Sequence, residues 1–591
     1  VGARTTAERT IYANELMQSR WSRVIVGVMF GRRKKQEMQD IAPDEIFLDS
    51  SNLPAHETTQ FEGRVERPVS RFAILGVGAL FVLVVLAFSA RAFQLQVSDG
   101  DIYANISRDN RLTRSIIFAP RGVMYDRTGL ELAWNEAEPE DTDATPYARR
   151  VYTKLPGLAH VIGFVRYPKT DASGLWWREE YIGVSGSELV FDDILSGNNG
   201  SKMTEVDALG AVQREDIVIP PTSGDNLTLS IDSELQSVLY GILLKHANAY
   251  GFQGGASVII DVNTGEIIAM VSVPEYDNAA FANGDTAVIR AAHKSSRLPA
   301  LNRAIAGAYT PGSIIKPIIA VGALRENVIS PDKKIESTGT ITIPNPYNPD
   351  KPSVFNDWKA HGWVDMHEAL AVSSDIYFYV VGGGFGSQSG LGIARLDEYA
   401  RLFGLGTTTG FVLSGEVGGV IPTPQWKEDT FGSDDPWRVG DTYNTAIGQY
   451  GMQVTPLQMA RAIAAFANDG RLLTPHLVFG RDVESGDLGI PRTYFAVVRD
   501  GMRRAVTSSL GTARALNMSD VPIAAKTGTA QTGVRNQWMH SWVVGFWPYE
   551  SPRFAFATLL EKAPAGTLAG ASPAMRPFFE WLTVHRPEYL K

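Results

Sequence analysis

Cysteine is missing from all 591 residues, which excludes disulfide staples, iron–sulfur clusters and Cys-ligated zinc. The absence suits a large exported protein: a broad core needs no cross-links, and a thiol outside the reducing cytoplasm is a liability. A strong excess of charge is missing too, since a formal net charge of -9 over this length leaves no electrostatic footprint for nucleic acid. The 9 histidines are scattered without metal-like clustering. Hydrophobic residues at 44% and charged residues at 20% exclude a disordered or fibrous chain. The length calls for roughly two to four structural units.

Long apolar runs are scarce, and one is membrane-like. Phe72 to Ala90 is nineteen residues without a charge, close to the length needed to cross the hydrocarbon. Arg64, Arg67 and Arg71 precede it, and Arg32-Arg33-Lys34-Lys35 lies further upstream. Arg91 and Arg108 are the basic residues that follow closely, a bias that favours an inside N-terminus. The run is long for a signal h-region, so an uncleaved single-pass membrane anchor is expected, with the rest of the chain outside the cytoplasm. Residues 1–71 lack a sustained period and read as a cytosolic tail with at most a short surface-lying helix around Trp21 to Lys35.

Residues 91–224 read as a membrane-proximal α+β module of short elements and turns, without a nucleophile–base arrangement. From Asp225 the texture changes. Leu227 to Ile231 alternates as a strand, Asp232 to Ala249 is an amphipathic helix, and Gly255 to Ile260 with Glu266 to Val273 forms a hairpin around Asn263-Thr264-Gly265. Ile341 to Asp357, rich in Pro, Asn and Asp, reads as an exposed loop, and Met366 to Tyr379 as a helix. Thr455 to Ala467 is a helix with Pro456 in its first turn and Asn468-Asp469-Gly470 as its stop. Trp542 to Trp547 and Phe554 to Leu560 are strands, and Pro573 to Leu582 is a terminal helix. The order predicts an α+β domain over 225–591: one antiparallel sheet covered by helices, with the two ends of the domain meeting in the sheet.

Within that domain, Tyr309-Thr310-Pro311-Gly312-Ser313-Ile314-Ile315-Lys316-Pro317 is a tight turn opening into an apolar helix. An offset of three residues puts the Ser313 hydroxyl and the Lys316 amine on one helical face. Pro317 denies the Ser313 carbonyl its usual helical donor, which is tolerable if the helix starts near Gly312 or Ser313. Free N–H groups at a helix start favour an ionised serine oxygen and disfavour a charged lysine, as a serine nucleophile with a lysine base requires. Two further signals follow in chain order, Ser373-Ser374-Asp375 and Lys526-Thr527-Gly528-Thr529.

In this order, the three motifs match the signature set of penicillin-interacting serine enzymes. The chain resembles the class B penicillin-binding proteins, peptidoglycan D,D-transpeptidases, and within them most closely the elongation type, penicillin-binding protein 2. The resemblance runs over about residues 64 to 584, through Arg121-Gly122, Asp126-Arg127, Gly183 to Glu188 and Ala446-Ile447-Gly448-Gln449. A middle motif ending in Asp375 is closer to the elongation branch than to the division branch. The resemblance implies a β-lactamase-like transpeptidase domain on an α+β pedestal of the dimerisation type. It assigns Ser313 as the nucleophile toward the penultimate D-Ala of a stem peptide, with Lys316 as base and Ser373 as proton relay. Asp375 accepts hydrogen bonds from Lys316 or from peptide amides, and also favours Lys316 in its charged form. Lys526, Thr527, Gly528 and Thr529 bind the peptide and its carboxylate, and the Ser313 and Thr529 N–H groups form the oxyanion hole.

By the same resemblance β-lactams are covalent inhibitors, no cofactor is needed, and the partners are a polytopic peptidoglycan glycosyltransferase and other elongation-complex membrane proteins. Two departures stand out. The segment between Asn135 and Tyr152 is short where relatives carry an additional subdomain. Some relatives bear a cysteine-containing zinc site by the cleft, whereas here Asp350, Asp357 and His361 lie nearby without a cysteine, and no bound metal is expected. Two alternatives stay open at this level: a D,D-carboxypeptidase or β-lactamase using water as acceptor, and a non-catalytic β-lactam sensor or scaffold.

Overall fold

Alternation along one buried strand organises the main domain in the computed structural model, which describes residues 70–109, 112–136, 145–206, 212–345 and 348–591. The tail expected over 1–71, with its short helix around Trp21 to Lys35, falls outside these residues except at its last two positions. Two compact units divide the chain, Val1–Tyr103 and Ala104–Lys591. In the first, helix α1 (Arg71–Phe93) begins where the Ser70 side chain accepts from the Phe72 N–H. It is long and apolar enough to cross a membrane, and none of its side chains is buried within the protein.

The second unit begins with the pedestal. Strands β1 (Leu112–Ile117), β2 (Met124–Tyr125), β3 (Glu131–Glu136), β4 (Arg149–Tyr152), β5 (Gly200–Val206) and β6 (Val212–Ile219) build two small sheets, ordered β1-β5-β6 and, with β7 (Leu227–Thr228), β7-β2-β3-β4. The short segment after Asn135 joins paired strands, Glu136 lying opposite Arg149. The Glu188 carboxylate accepts from Arg121 Nε at 2.6 Å and Arg150 Nε at 2.7 Å, all three side chains being fully buried. Asp192 takes Arg121 Nη2 at 2.6 Å. Burial of these three charges is tolerable because each guanidinium meets a carboxylate, the half-buried Asp192 adding the second acid.

The main sheet runs β9-β8-β12-β11-β10, all antiparallel: β8 (Gly254–Asp261), β9 (Ile267–Val273), β10 (Ala524–Thr532), β11 (Trp538–Trp547) and β12 (Phe554–Pro564). The hairpin β8–β9 is expected from sequence, and its partner β12 comes from the far end of the domain, Gly254 facing Glu561. Successive side chains of β8 enter different cores, as a two-residue period requires. Ala256, Val258 and Ile260 join one core with Ile314, Ile318 and Phe378. Ile259 joins the other with Leu235, Leu239, Phe578 and Leu582 from helices α2 (Ser233–Tyr250) and α8 (Ala571–His585).

On the first face lie α3 (Lys316–Arg325), α4 (Met366–Val372), α5 (Asp375–Gly383), α6 (Pro456–Ala467) and α7 (Arg492–Thr507). Helix α6 starts with a reciprocal Thr455–Gln458 capping box and stops where Asp469 and Gly470 turn left-handed. Two expectations change. The region 341–357 contains paired strands, Thr340–Ile343 with Ser353–Asn356, rather than a plain loop, because Phe355 packs against the main core and pins the hairpin. The helix expected over Met366 to Tyr379 breaks at Ser373, whose φ of 60° and ψ of 43° end α4 in the left-handed region.

Candidate active site

The Ser313 turn seats on strand β10 through missing side chains. Gly312 has φ 58°, and a Cβ there would lie 2.6 Å from the Thr529 carbonyl oxygen. A Cβ on Gly528 would lie 2.8 Å from the Pro311 oxygen, and one on Gly448 would strike the Gly312 backbone. Only glycine allows three backbones to close in this way. The Gly312 N–H donates to Gly448 O at 2.9 Å, and the Trp542 indole donates to Thr310 O at 3.0 Å. A side chain on Gly528 would thus meet the nucleophile turn itself.

Ser313 sits in a 3-10 turn, Gly312–Ile315, and the α-helix proper begins at Lys316. Pro317 has no N–H to offer the Ser313 carbonyl, so the Lys316 N–H takes that role in the tighter turn. Lys316 is fully buried. Its Nζ donates to Asp375 Oδ1 at 2.6 Å, Ser373 O at 2.9 Å and Ser373 Oγ at 3.4 Å. All three bonds run to the middle motif rather than to Ser313.

The break at Ser373 makes this possible. Its left-handed backbone turns both the carbonyl and the hydroxyl toward the lysines, while Ser374 caps α5 by accepting from the Tyr377 N–H. On the other side Lys526 Nζ donates to Ser373 Oγ at 2.7 Å and to Thr527 O at 2.8 Å. Lys526 is fully buried, and burial followed by the nearby Lys316 charge holds its pKa well below the usual lysine value, against the smaller pull of Asp375. One hydroxyl therefore bridges two amines, an arrangement that can pass a proton between them.

Strand β10 alternates as its chemistry requires: Lys526 and Gly528 are buried, Thr527 is half-buried and Thr529 is exposed. Thr527 Oγ1 donates to Thr512 Oγ1 at 2.7 Å. Among the described residues β10 pairs with β11 alone, leaving its outer edge for an extended peptide. Ser313, Ser373, Asp375, Thr527, Gly528 and Thr529 line one cleft of about 950 Å3. Thr512, Trp358 and Tyr450 line it as well. No sequence motif points to them; Tyr450 carries one faint signal, its place directly after Gly448-Gln449.

Among the described residues no group of three or more His, Asp or Glu side chains is arranged to hold a metal ion. Asp357 in particular does not fit one. Its oxygens accept from Ser337 Oγ at 3.0 Å, Ser374 Oγ at 2.8 Å, Ile376 N at 3.1 Å and Trp358 N at 2.9 Å, so its lone pairs already face protons.

Comparison with known proteins decides the family. The penicillin binding protein transpeptidase domain matches residues 255–580, more than half of the chain. This chain belongs to the penicillin-binding protein transpeptidases. The penicillin-binding protein dimerisation domain matches residues 141–229 of the same protein. Peptidoglycan D,D-transpeptidase MrdA of Haemophilus influenzae is 28% identical to this penicillin-binding protein, across 90% of the chain and 94% of the relative. The crystal structure of Pseudomonas aeruginosa PBP2 in complex with WCK 5153 superposes with a TM-score of 0.65 at 28% identity, covering 81% of this chain and 98% of that one. A chain from a structure on coordination of polymerization and crosslinking by a peptidoglycan synthase complex gives 0.66 at 27% identity, covering 88% and 98%.

Proposed function

We propose that this penicillin-binding protein is a serine D,D-transpeptidase that cross-links peptidoglycan stem peptides during wall elongation, with Ser313 as its nucleophile. The observation that carries the reading is the Lys316–Ser373–Lys526 chain beside the Ser313 turn, in one cleft with an open strand edge. Ser313 Oγ attacks the carbonyl carbon of the penultimate D-Ala. Its proton passes to Lys316, which hands one on through the Ser373 hydroxyl to Lys526. The C–N bond then breaks, the terminal D-Ala leaves with a proton returned to its amine, and a serine ester stays on the enzyme. An amine of a neighbouring stem peptide attacks that ester, the C–O bond breaks, and Ser313 recovers its proton. The N–H groups of Ser313 and Thr529 hold the oxyanion, each such donor being typically worth about 3 kcal/mol.

Asp375 pairs with Lys316 at 2.6 Å, and the depressed Lys526 supplies the neutral amine that the relay needs. Thr527 and Thr529 receive the substrate carboxylate. The proposal includes the division into an anchor at 72–90, a pedestal at 91–224 and a transpeptidase domain at 225–591. Helix α1 and the arginines before it support a single-pass anchor with the N-terminus inside. The likeness to a chain of a peptidoglycan synthase complex supports a polytopic glycosyltransferase as partner.

Fluorescent penicillin tests the nucleophile. Wild type takes a covalent label and Ser313→Ala takes none; equal labelling of both removes Ser313 from the reaction. Chromatography of products from a dipeptide-terminated muropeptide, with and without an amine acceptor, then separates transpeptidation from hydrolysis.

A further inference from the structure

The carboxylate of Asp357 is fully buried, although the residue lies on the loop between strands Ser353–Asn356 and Gly362–Val364 and outside all three motifs. We propose that Asp357 is a positioning residue for acylation: it holds the Ser373–Asp375 turn so that the Ser373 hydroxyl stays between Lys316 and Lys526. Its Oδ2 accepts from Ser374 Oγ at 2.8 Å and from the Ile376 N–H at 3.1 Å, gripping the residues on both sides of Asp375. The same oxygen accepts from Ser337 Oγ at 3.0 Å, and Oδ1 accepts from the Trp358 N–H at 2.9 Å, which ties the carboxylate to its own side of the cleft.

Neighbours on the loop add to the grip. Trp358 Nε1 donates to Val372 O at 3.2 Å, and Tyr379 OH donates to Asn356 O at 3.2 Å. Val372 and Tyr379 bracket the turn on α4 and α5. The turn needs such an outside hold, because Ser373 is a non-glycine residue in the left-handed region, a conformation that persists where surrounding contacts over-determine it. Relaxing the turn would swing the Ser373 hydroxyl away from Lys526, 2.7 Å distant, and separate the two amines. Asp357 thus acts on the reaction through Ser373, with no bond of its own to either lysine.

Three variants test this, each followed by saturating the acylation rate with fluorescent penicillin to separate non-covalent affinity from the first-order acylation constant. Asp357→Asn and Ser374→Ala are expected to lower that constant by tenfold or more, with affinity within twofold and the melting temperature within a few degrees. Ser337→Ala, which cuts a tie on the far side of the carboxylate, is expected to keep the constant within twofold. The double variant Asp357→Asn/Ser374→Ala is expected to be no slower than the slower single one, since the two share the Asp357–Ser374 link, while the α5 cap that Ser374→Ala also removes registers in melting temperature. Should Asp357→Asn fail to fold, Ser374→Ala against Ser337→Ala carries the decision. Equal losses in these two serine variants, scaling with lost melting temperature, would overturn the role, as would wild-type constants in Asp357→Asn and Ser374→Ala. The inference rests on Ser313 as nucleophile but fails separately from it: a wild type labelled at Ser313 beside an equally fast Asp357→Asn sinks the positioning role alone.

Discussion

Two buried clusters in this protein each place cations around a carboxylate, and they differ in what the cations can do. In the pedestal, Arg121 and Arg150 share Glu188, with Asp192 adding a second acid. Guanidinium groups do not lose protons in proteins and hold a fixed fork geometry, so this cluster is a brace. In the cleft, Lys316 takes Asp375, and Lys526 is left with a hydroxyl and a carbonyl as its partners. Its charge is uncompensated, which is why burial drives it toward the neutral amine. Complete pairing with arginine makes structure, and incomplete pairing with lysine makes a proton acceptor.

Breaking each cluster separates these roles. Lys526→Met removes the relay's far end and is expected to slow acylation about a thousandfold, within the range of general acid–base groups, without lowering the melting temperature. A large thermal loss in that variant would make Lys526 a structural residue and collapse the contrast. Glu188→Ala leaves Arg150 Nε without its carboxylate and is expected to cost about 3 kcal/mol in urea unfolding, while the folded fraction acylates within twofold of wild type. Slow acylation in a stable Glu188→Ala protein would show that the pedestal cluster also tunes the cleft.

A pH profile sharpens the comparison further. Neutral Lys526 is the form that takes up the proton, so the acylation constant should rise with pH along a limb whose midpoint lies below the lysine value of 10.5. A limb that survives in Lys526→Met would assign it elsewhere. The smallest effect concerns stability alone. Burial, with Arg303 nearby, lowers the His160 pKa to about 3, and burial lowers that of His540 to about 4. Folded-state values below the ordinary 6.5 mean that the unfolded chain binds protons the native one refuses. Stability therefore begins to fall as pH drops through 6.5 and declines toward about 4 and then 3, by roughly 2 kcal/mol per histidine at pH 5. A His160→Gln variant should flatten part of that decline in melting temperature, and an unchanged slope would remove His160 from it.

Local rules made much of the fold legible. The uncharged run of α1, the alternation in β8 and the Thr455–Gln458 box of α6 are decided by neighbours in sequence, so they could be read there. The break at Ser373 was hidden, because the apolar residues on either side, Ala369 to Val372 and Ile376 to Tyr379, suit one helix and the left-handed turn is imposed by Asp357, Trp358 and the two lysines. The strands around 341–357 were hidden by their Pro, Asn and Asp content, which Phe355 outweighs by packing into the core. In the site, motif spacing brought out Ser313, Lys316, Ser373, Asp375 and Lys526, and the structure gathers them at one cleft. Thr512 had no motif to mark it, and Asp357 stood out only beside His361 where some relatives bear zinc, since each acts through a partner elsewhere in the chain.

The pairing of Gly254 with Glu561 has a consequence for biosynthesis. A ribosome makes the Ser313 turn long before β10, β11 and β12 exist, and with them the strand that seats the turn and the amine of Lys526. Until those strands have emerged, β8 has no neighbour on its β12 side, and contacts this distant in sequence form slowly. A nascent chain halted before Lys526 would carry the serine and be blind to penicillin, so the reactive centre is assembled last, by one of the final stretches of the domain to be made.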